Sequence, residues 1–87
     1  MKIKWEESAW QEYIEWQQTD KIMLRKINQL IKDIQRNPFT GIGKPEPLKY
    51  NLTGLWSRHI NDKHRLVYCI DKGELIIIQC CGHYNLH

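Results

Sequence analysis

The sequence predicts an α+β fold: a short N-terminal strand, a two-helix hairpin, and then antiparallel strands forming a sheet that the helices cover. Three observations carry this expectation. Residues 9–34 repeat apolar side chains at helical spacing, and residues 55–81 are rich in β-branched and aromatic residues interrupted by turn sequences. Between them, residues 37–54 hold all three prolines of the chain. The 87 residues suit one domain spanning 1–87, and 41% hydrophobic with 26% charged residues is the composition of a foldable globular chain.

Taken in order, Ile3 and Trp5 alternate with Lys2 and Lys4, the period-2 pattern of a short edge strand. Ser8 with Gln11 three residues later matches a capping box, and Ala9, Trp10, Tyr13, Ile14 and Trp16 continue as a first helix. Thr19-Asp20 supplies the next cap. Met23, Leu24, Ile27, Leu30, Ile31 and Ile34 then follow the i, i+3, i+4, i+7 rule until Asn37-Pro38 ends a second, amphipathic helix. Residues 37–54 show no periodicity and read as one long loop, and loops of that length in small domains are usually functional. Pro45 and Pro47 stiffen it on either side of Glu46. Residues 55–60, 64–70 and 75–81 read as three antiparallel strands in two hairpins, with Asn61-Asp62-Lys63 and Asp71-Lys72-Gly73-Glu74 as turns. On the middle strand Arg65, Val67 and Cys69 face one way, and His64, Leu66, Tyr68 and Ile70 face the other.

Several classes are excluded early. The longest apolar run, Leu66 to Ile70, falls far short of the roughly 20 residues of a membrane-spanning helix, so no membrane partner is expected. The start Met1-Lys2-Ile3-Lys4-Trp5-Glu6-Glu7 has no apolar signal core. Cys69 and the adjacent pair Cys80 and Cys81 make no disulfide framework, and a reducing cytoplasm is the expected location. Gly41-Ile42-Gly43-Lys44 lacks the spacing of a phosphate-binding loop, and Cys80-Cys81-Gly82-His83 matches no common zinc site. Neither metal nor cofactor is therefore expected. Cys69 is expected in the core.

The formal net charge is only +3, but residues 44–65 hold all of that excess in Lys44, Lys49, Arg58, Lys63 and Arg65 against Glu46 and Asp62. Tyr50, Trp56, His59 and His64 accompany these charges, which suits a phosphate-facing surface with stacking groups as well as it suits a solvated basic loop. Glu46, set between two prolines, has the makings of a general base or of a surface acid balancing Lys44 and Lys49. Arg65 has the makings of a phosphate clamp or of a cross-strand ion pair. His83-Tyr84 offers a proton-transferring imidazole and a stacking phenol, or else a frayed polar tail. Together, a base, a cation, an acid and an aromatic are the parts required for metal-free RNA cleavage.

The chain also resembles a known family. The run Asn37-Pro38-Phe39, Gly41 through Lys49, Asn51-Leu52-Thr53-Gly54, Trp56-Ser57-Arg58 and His64-Arg65-Leu66-Val67-Tyr68 is similar to the YoeB toxins of the RelE/ParE superfamily. Trp5, Trp10, Tyr13, Trp16-Gln17, Lys26-Ile27-Asn28, Leu30-Ile31-Lys32 and the ending His83-Tyr84 extend the likeness over nearly the whole chain. The resemblance implies a RelE-like, microbial-ribonuclease-like fold. It further implies the toxin of a type II toxin–antitoxin pair: an endoribonuclease that enters the ribosomal A site, usually as a homodimer, cuts messenger RNA and is neutralised by a YefM-like antitoxin. Position by position, it implies Glu46 as general base, Arg65 as phosphate-stabilising arginine, His83 as general acid and Tyr84 as the aromatic that orients the substrate. Lys49 and Arg58 match basic positions near the RNA.

Two departures stand out against that pattern. Cys81-Gly82 replaces a basic residue and a tyrosine, and His59 stands where many relatives carry a second arginine, so His59 takes the RNA-facing place. Asn85-Leu86-His87 follow the tyrosine at which relatives often stop. These changes imply a preserved nuclease plan with weaker RNA or ribosome contact, and a His83 loosened by the glycine before it. The competing expectation is a toxin relative of the same fold that acts on a protein target such as gyrase, or only as corepressor with its antitoxin.

Overall fold

Asp20 divides the helical half. The computed structural model describes residues 1–83, and in it strand β1 (Ile3–Trp5) leads into helix α1 (Glu7–Thr19) and helix α2 (Lys21–Arg36). Asp20 Oδ1 accepts from the backbone N–H groups of Ile22 (3.0 Å) and Met23 (3.2 Å), satisfying two of the orphan donors at the start of α2. The capping box at Ser8 does not form. Glu6 is the residue before α1, in extended conformation and without a side-chain cap, and Ser8 lies inside the first turn. The reason is tertiary: the Glu6 N–H donates to Ile77 O at 2.9 Å, so β-type pairing holds the chain until the residue before the helix.

The helix α2 ends at Asn37-Pro38 as expected, and its buried stripe is Met23, Ile27, Leu30, Ile31 and Ile34. At roughly 1.5–3 kcal/mol for each fully buried aliphatic side chain, this face is the largest hydrophobic contribution of any one element. It packs with Ala9, Ile60, Leu66, Tyr68, Leu75, Ile77 and Cys80, while Trp5, Tyr13, Trp16, Trp56 and Ile70 close the margins. Among the described residues no helix is long and apolar enough to cross a membrane.

The sheet has five strands in the order β1-β5-β4-β3-β2, where β2 is Glu46–Pro47, β3 Trp56–His59, β4 Arg65–Asp71 and β5 Glu74–Gln79. All neighbours are antiparallel except β1 and β5, which run parallel. The fold class is thus the expected one, with the helices on one face of the sheet. Residues 37–54 are less irregular than expected, because Glu46 and Pro47 pair with Ser57 and Trp56, and Tyr50–Leu52 form a 3-10 turn. Two residues are too few to show a period, yet Pro47 fits there because an edge strand can spare an N–H.

A β-bulge between Val67 and Tyr68 pairs Tyr68 with Ile77 but Val67 with Gln79. The extra residue, Ile78, shifts Gln79 to the face that points away from the helices. That face follows the alternation on β4: Leu66 and Tyr68 are wholly buried toward the helices, and Arg65, Val67 and Cys69 lie on the other side. Cys69 is accordingly half-buried outside the core, a correction to the expectation, and Cys80 is the buried core thiol. Cys80 and Cys81 both lie beyond the last strand.

Candidate active site

The sheet face turned away from the helices brings together three of the residues singled out from sequence, Glu46, His59 and Arg65. Glu46 stands opposite Ser57, Ser57 opposite Val67 and Val67 opposite Gln79, and one step along the same face His59 stands opposite Arg65. Glu46 and Arg65 are two strands apart, about 10 Å across the ladder. Glu46 is exposed, fixed by Pro45 and Pro47 and by its pairing to Ser57. Ser57 Oγ is fully buried and has no hydrogen-bond partner among the described residues.

Arg65 is half-buried, and its Nη1 donates to the carbonyls of Asn61 (2.7 Å), Asp62 (3.1 Å) and His64 (3.3 Å). One nitrogen of the fork is thereby tied to the β3–β4 turn, and Nε and Nη2 have no protein acceptor among the described residues. That is the arrangement of a held guanidinium with capacity left for an anion. Lys49 is exposed immediately before the 3-10 turn, beside Tyr50, which is 80% exposed with a φ of 58°. A bulky aromatic in the left-handed region is uncommon and marks a constrained loop.

His59 is half-buried, and its N–H donates to Gly43 O at 2.7 Å. Burial, and then the charges of Arg65 and Lys44, hold its pKa below the ordinary 6.5. At neutral pH it is an uncharged donor, acceptor or stacking surface, so it does not replace the charge of an arginine.

Arg58 is a correction. It does not face RNA but is fully buried beneath the sheet. Its five N–H groups are committed: Nε to Tyr68 Oη (3.2 Å), Nη1 to Asp33 Oδ2 (2.6 Å) and Ile42 O (3.1 Å), and Nη2 to Asn37 O (2.6 Å) and Thr40 O (2.8 Å). Asp33 accepts a further bond from the Ile42 N–H, and the guanidinium holds its carboxyl below the usual range. Arg58 therefore ties the loop that leads to Glu46 onto α2. At Gly43, with φ 79°, a Cβ would meet Leu30 Cδ2 at 2.7 Å, so the loop also needs a glycine to lie this close.

His83 is exposed and directly follows Gly82, whose N–H and C=O are both hydrogen-bonded. The expectation that Gly82 loosens His83 is corrected on this point: the glycine is held, not free. Tyr84 lies outside the described residues. Burial, and then Glu12, push the Cys80 thiol up to about 12, and burial raises Cys81 as well. Both thiols stay protonated at neutral pH, a poor state for nucleophiles or metal ligands. Of the two side chains that grip Gly82, His64 was marked in the sequence only as a stacking group beside the basic stretch and Gln79 not at all, since their hold on Gly82 depends on pairing register.

Residues 5–84 match the family described as the YoeB-like toxin of bacterial type II toxin-antitoxin systems. The chain belongs to the YoeB toxin family. Toxin YoeB of Escherichia coli (strain K12) is 55% identical over 84 residues, covering 97% of this chain and all of that protein. The YoeB/ParE toxin from Agrobacterium tumefaciens superposes with a TM-score of 0.95 at 49% identity, covering 97% of this chain and 100% of that one. The toxin in the heterotetrameric YoeB-YefM complex from Staphylococcus aureus reaches 0.90 at 49% identity, covering 97% and 98%, and a YoeB dimer from the same organism is also known. This chain thus shares the fold of these YoeB toxins over nearly its whole length.

Proposed function

We propose that this chain is the endoribonuclease of a toxin–antitoxin pair, cutting messenger RNA in the ribosomal A site. One observation carries the reading: Glu46 and Arg65 share one face of the sheet, and the Arg65 N–H donates to the carbonyl of Gly82, the residue before His83. In this reading Glu46 accepts the proton of a ribose 2′-hydroxyl as that oxygen attacks the adjacent phosphorus. Arg65 meets the charge that grows on the phosphoryl oxygens. His83, as general acid, gives a proton to the departing 5′ oxygen, leaving a 2′,3′-cyclic phosphate and a 5′-hydroxyl. Tyr84 orients the base, and Lys49 and His59 contact the RNA. Arg58 supports the loop of Glu46 from within.

Protein groups supply every proton and charge in this step, so no cofactor is needed. The reading also takes a YefM-like antitoxin and a homodimer as assemblies, by analogy with the Staphylococcus aureus YoeB-YefM complex and YoeB dimer, and a cytoplasmic location beside ribosomes. The test is a toeprint of a defined message on translating ribosomes. The native chain should cut at the A-site codon, and Glu46→Ala and His83→Ala should each slow cutting by about 10² to 10⁴-fold. Arg65→Ala should fall in the same way. Growth arrest without A-site cleavage would overturn the reading in favour of a protein target.

A further inference from the structure

The segment that carries His83 leaves the sheet after Gln79, where no strand ladder serves its backbone. Four side chains and one backbone N–H serve it instead. On the helix side, the Cys80 N–H donates to Glu12 Oε1 at 2.8 Å, and Trp16 Nε1 donates to Cys80 O at 2.9 Å. On the sheet side, the Gly82 N–H donates to His64 Nδ1 at 2.7 Å, and Gly82 O accepts from the Arg65 N–H at 2.9 Å and from Gln79 Nε2 at 3.0 Å.

Each part of this clamp has a local cause. The bulge places Gln79 on the face of Val67 and Arg65, within reach of Gly82. Gly82 has a φ of 76°, a conformation that a residue with a side chain rarely adopts. The Trp16 ring meets His64 edge-on, with centroids 5.0 Å apart at 82°, which fixes the imidazole plane. Accepting at Nδ1 puts the proton of neutral His64 on Nε2. Burial first, then the nearby charges of Lys63 and His83, favour that neutral form. The Gly82 carbonyl also joins cation and acid directly, because the Arg65 backbone donates to the residue preceding His83.

We propose that His64 and Gln79 are positioning residues for the general acid, holding the Gly82 peptide groups so that His83 is presented beside Arg65. The proposal rests on the reading of His83 as that acid. Neither residue touches the reacting atoms in this account. Both act through Gly82.

The experiment compares the full-length native chain with His64→Leu, His64→Asn and Gln79→Met. Single-turnover cleavage on programmed ribosomes is measured together with the toxin concentration that half-saturates it. His64→Leu and Gln79→Met should slow the saturated rate about 10 to 100-fold, the cost of misplacing a catalytic group, with half-saturation moving less than about twofold. Asparagine presents Oδ1 near the place of Nδ1, so His64→Asn should recover most of the rate. Amide order parameters of Gly82 and His83 should fall from the rigid range to below about 0.6 in the two damaging variants and not in His64→Asn. Native rates in both His64→Leu and Gln79→Met, or His64→Asn as slow as His64→Leu, would overturn the proposal. Should His64→Leu fail to fold, Gln79→Met decides alone. A native chain that cuts no message would instead overturn the nuclease reading. The order parameters then decide the clamp: a fall in the damaging variants sustains it, and unchanged values end it.

Discussion

At the scale of single residues, Arg58 shows how one side chain can look like a ligand contact and serve as internal scaffolding. A guanidinium has five donors in a rigid fork, and here each meets an acceptor on α2, on β4 or in the loop between α2 and β2. Lysine keeps the charge but offers a single ammonium, which cannot reach acceptors spread over Asn37, Thr40 and Ile42. Arg58→Lys should therefore lower stability in urea by more than about 2 kcal/mol, since an orphaned buried polar group costs about 1–3 kcal/mol. It should also slow cleavage by releasing the loop before Glu46. A variant as stable as the native chain would show that the fork is dispensable. Sequence alone could not separate the two roles, because a basic residue in a basic stretch reads the same whether it points into the core or out of it.

At the scale of elements, the two helix starts make a contrast that can be measured. Asp20 accepts two backbone bonds at the start of α2, whereas Ser8 has no capping role because sheet pairing carries the chain through Glu6. Asp20→Ala should cost about 1 kcal/mol and Ser8→Ala less than about 0.5 kcal/mol, read from chemical denaturation. Equal losses would restore the capping box. Helix α2 was legible from its apolar period alone, and so were the turns around Asn61 and Gly73. The strand at Glu46–Pro47 was not, since its existence depends on a neighbour, Trp56–Ser57, that supplies the pairing. The bulge at Val67/Tyr68 was equally hidden, and with it the reach of Gln79 to Gly82.

At the scale of the whole molecule, histidine ionisation couples the site to stability. Burial, followed by Arg65 and Lys44 around His59 and by Lys63 and His83 around His64, holds both imidazoles below their ordinary 6.5. Just below that pH the unfolded chain binds more protons than the folded one, so stability is fully present above 6.5 and declines as pH falls toward the folded-state values. Asp33 adds a second loss at lower pH, as its carboxyl, stabilised by Arg58, is protonated below the ordinary 3.8. Urea midpoints should be flat from pH 8 to about 6.5 and then fall, and His64→Asn should make the first decline shallower. A native chain that gained stability on acidification through this range would contradict the assignment.

Periodicity, turn chemistry and the family-like motifs were enough to read off the α+β class and the order of helices and hairpins, and to single out Glu46, Arg65 and His83 as candidates. These are matters of local spacing and residue type, and local spacing is written along the chain. Whether Arg58 faces core or solvent, whether Gly82 is loose or gripped, and which side chains surround His83 depend on pairing register and on contacts between residues far apart in sequence. Trp16 and Cys80 are separated by 64 positions, and Glu12 and Cys80 by 68. Only packing the helices against the sheet and setting the register of β4 on β5 brings those groups within hydrogen-bonding distance.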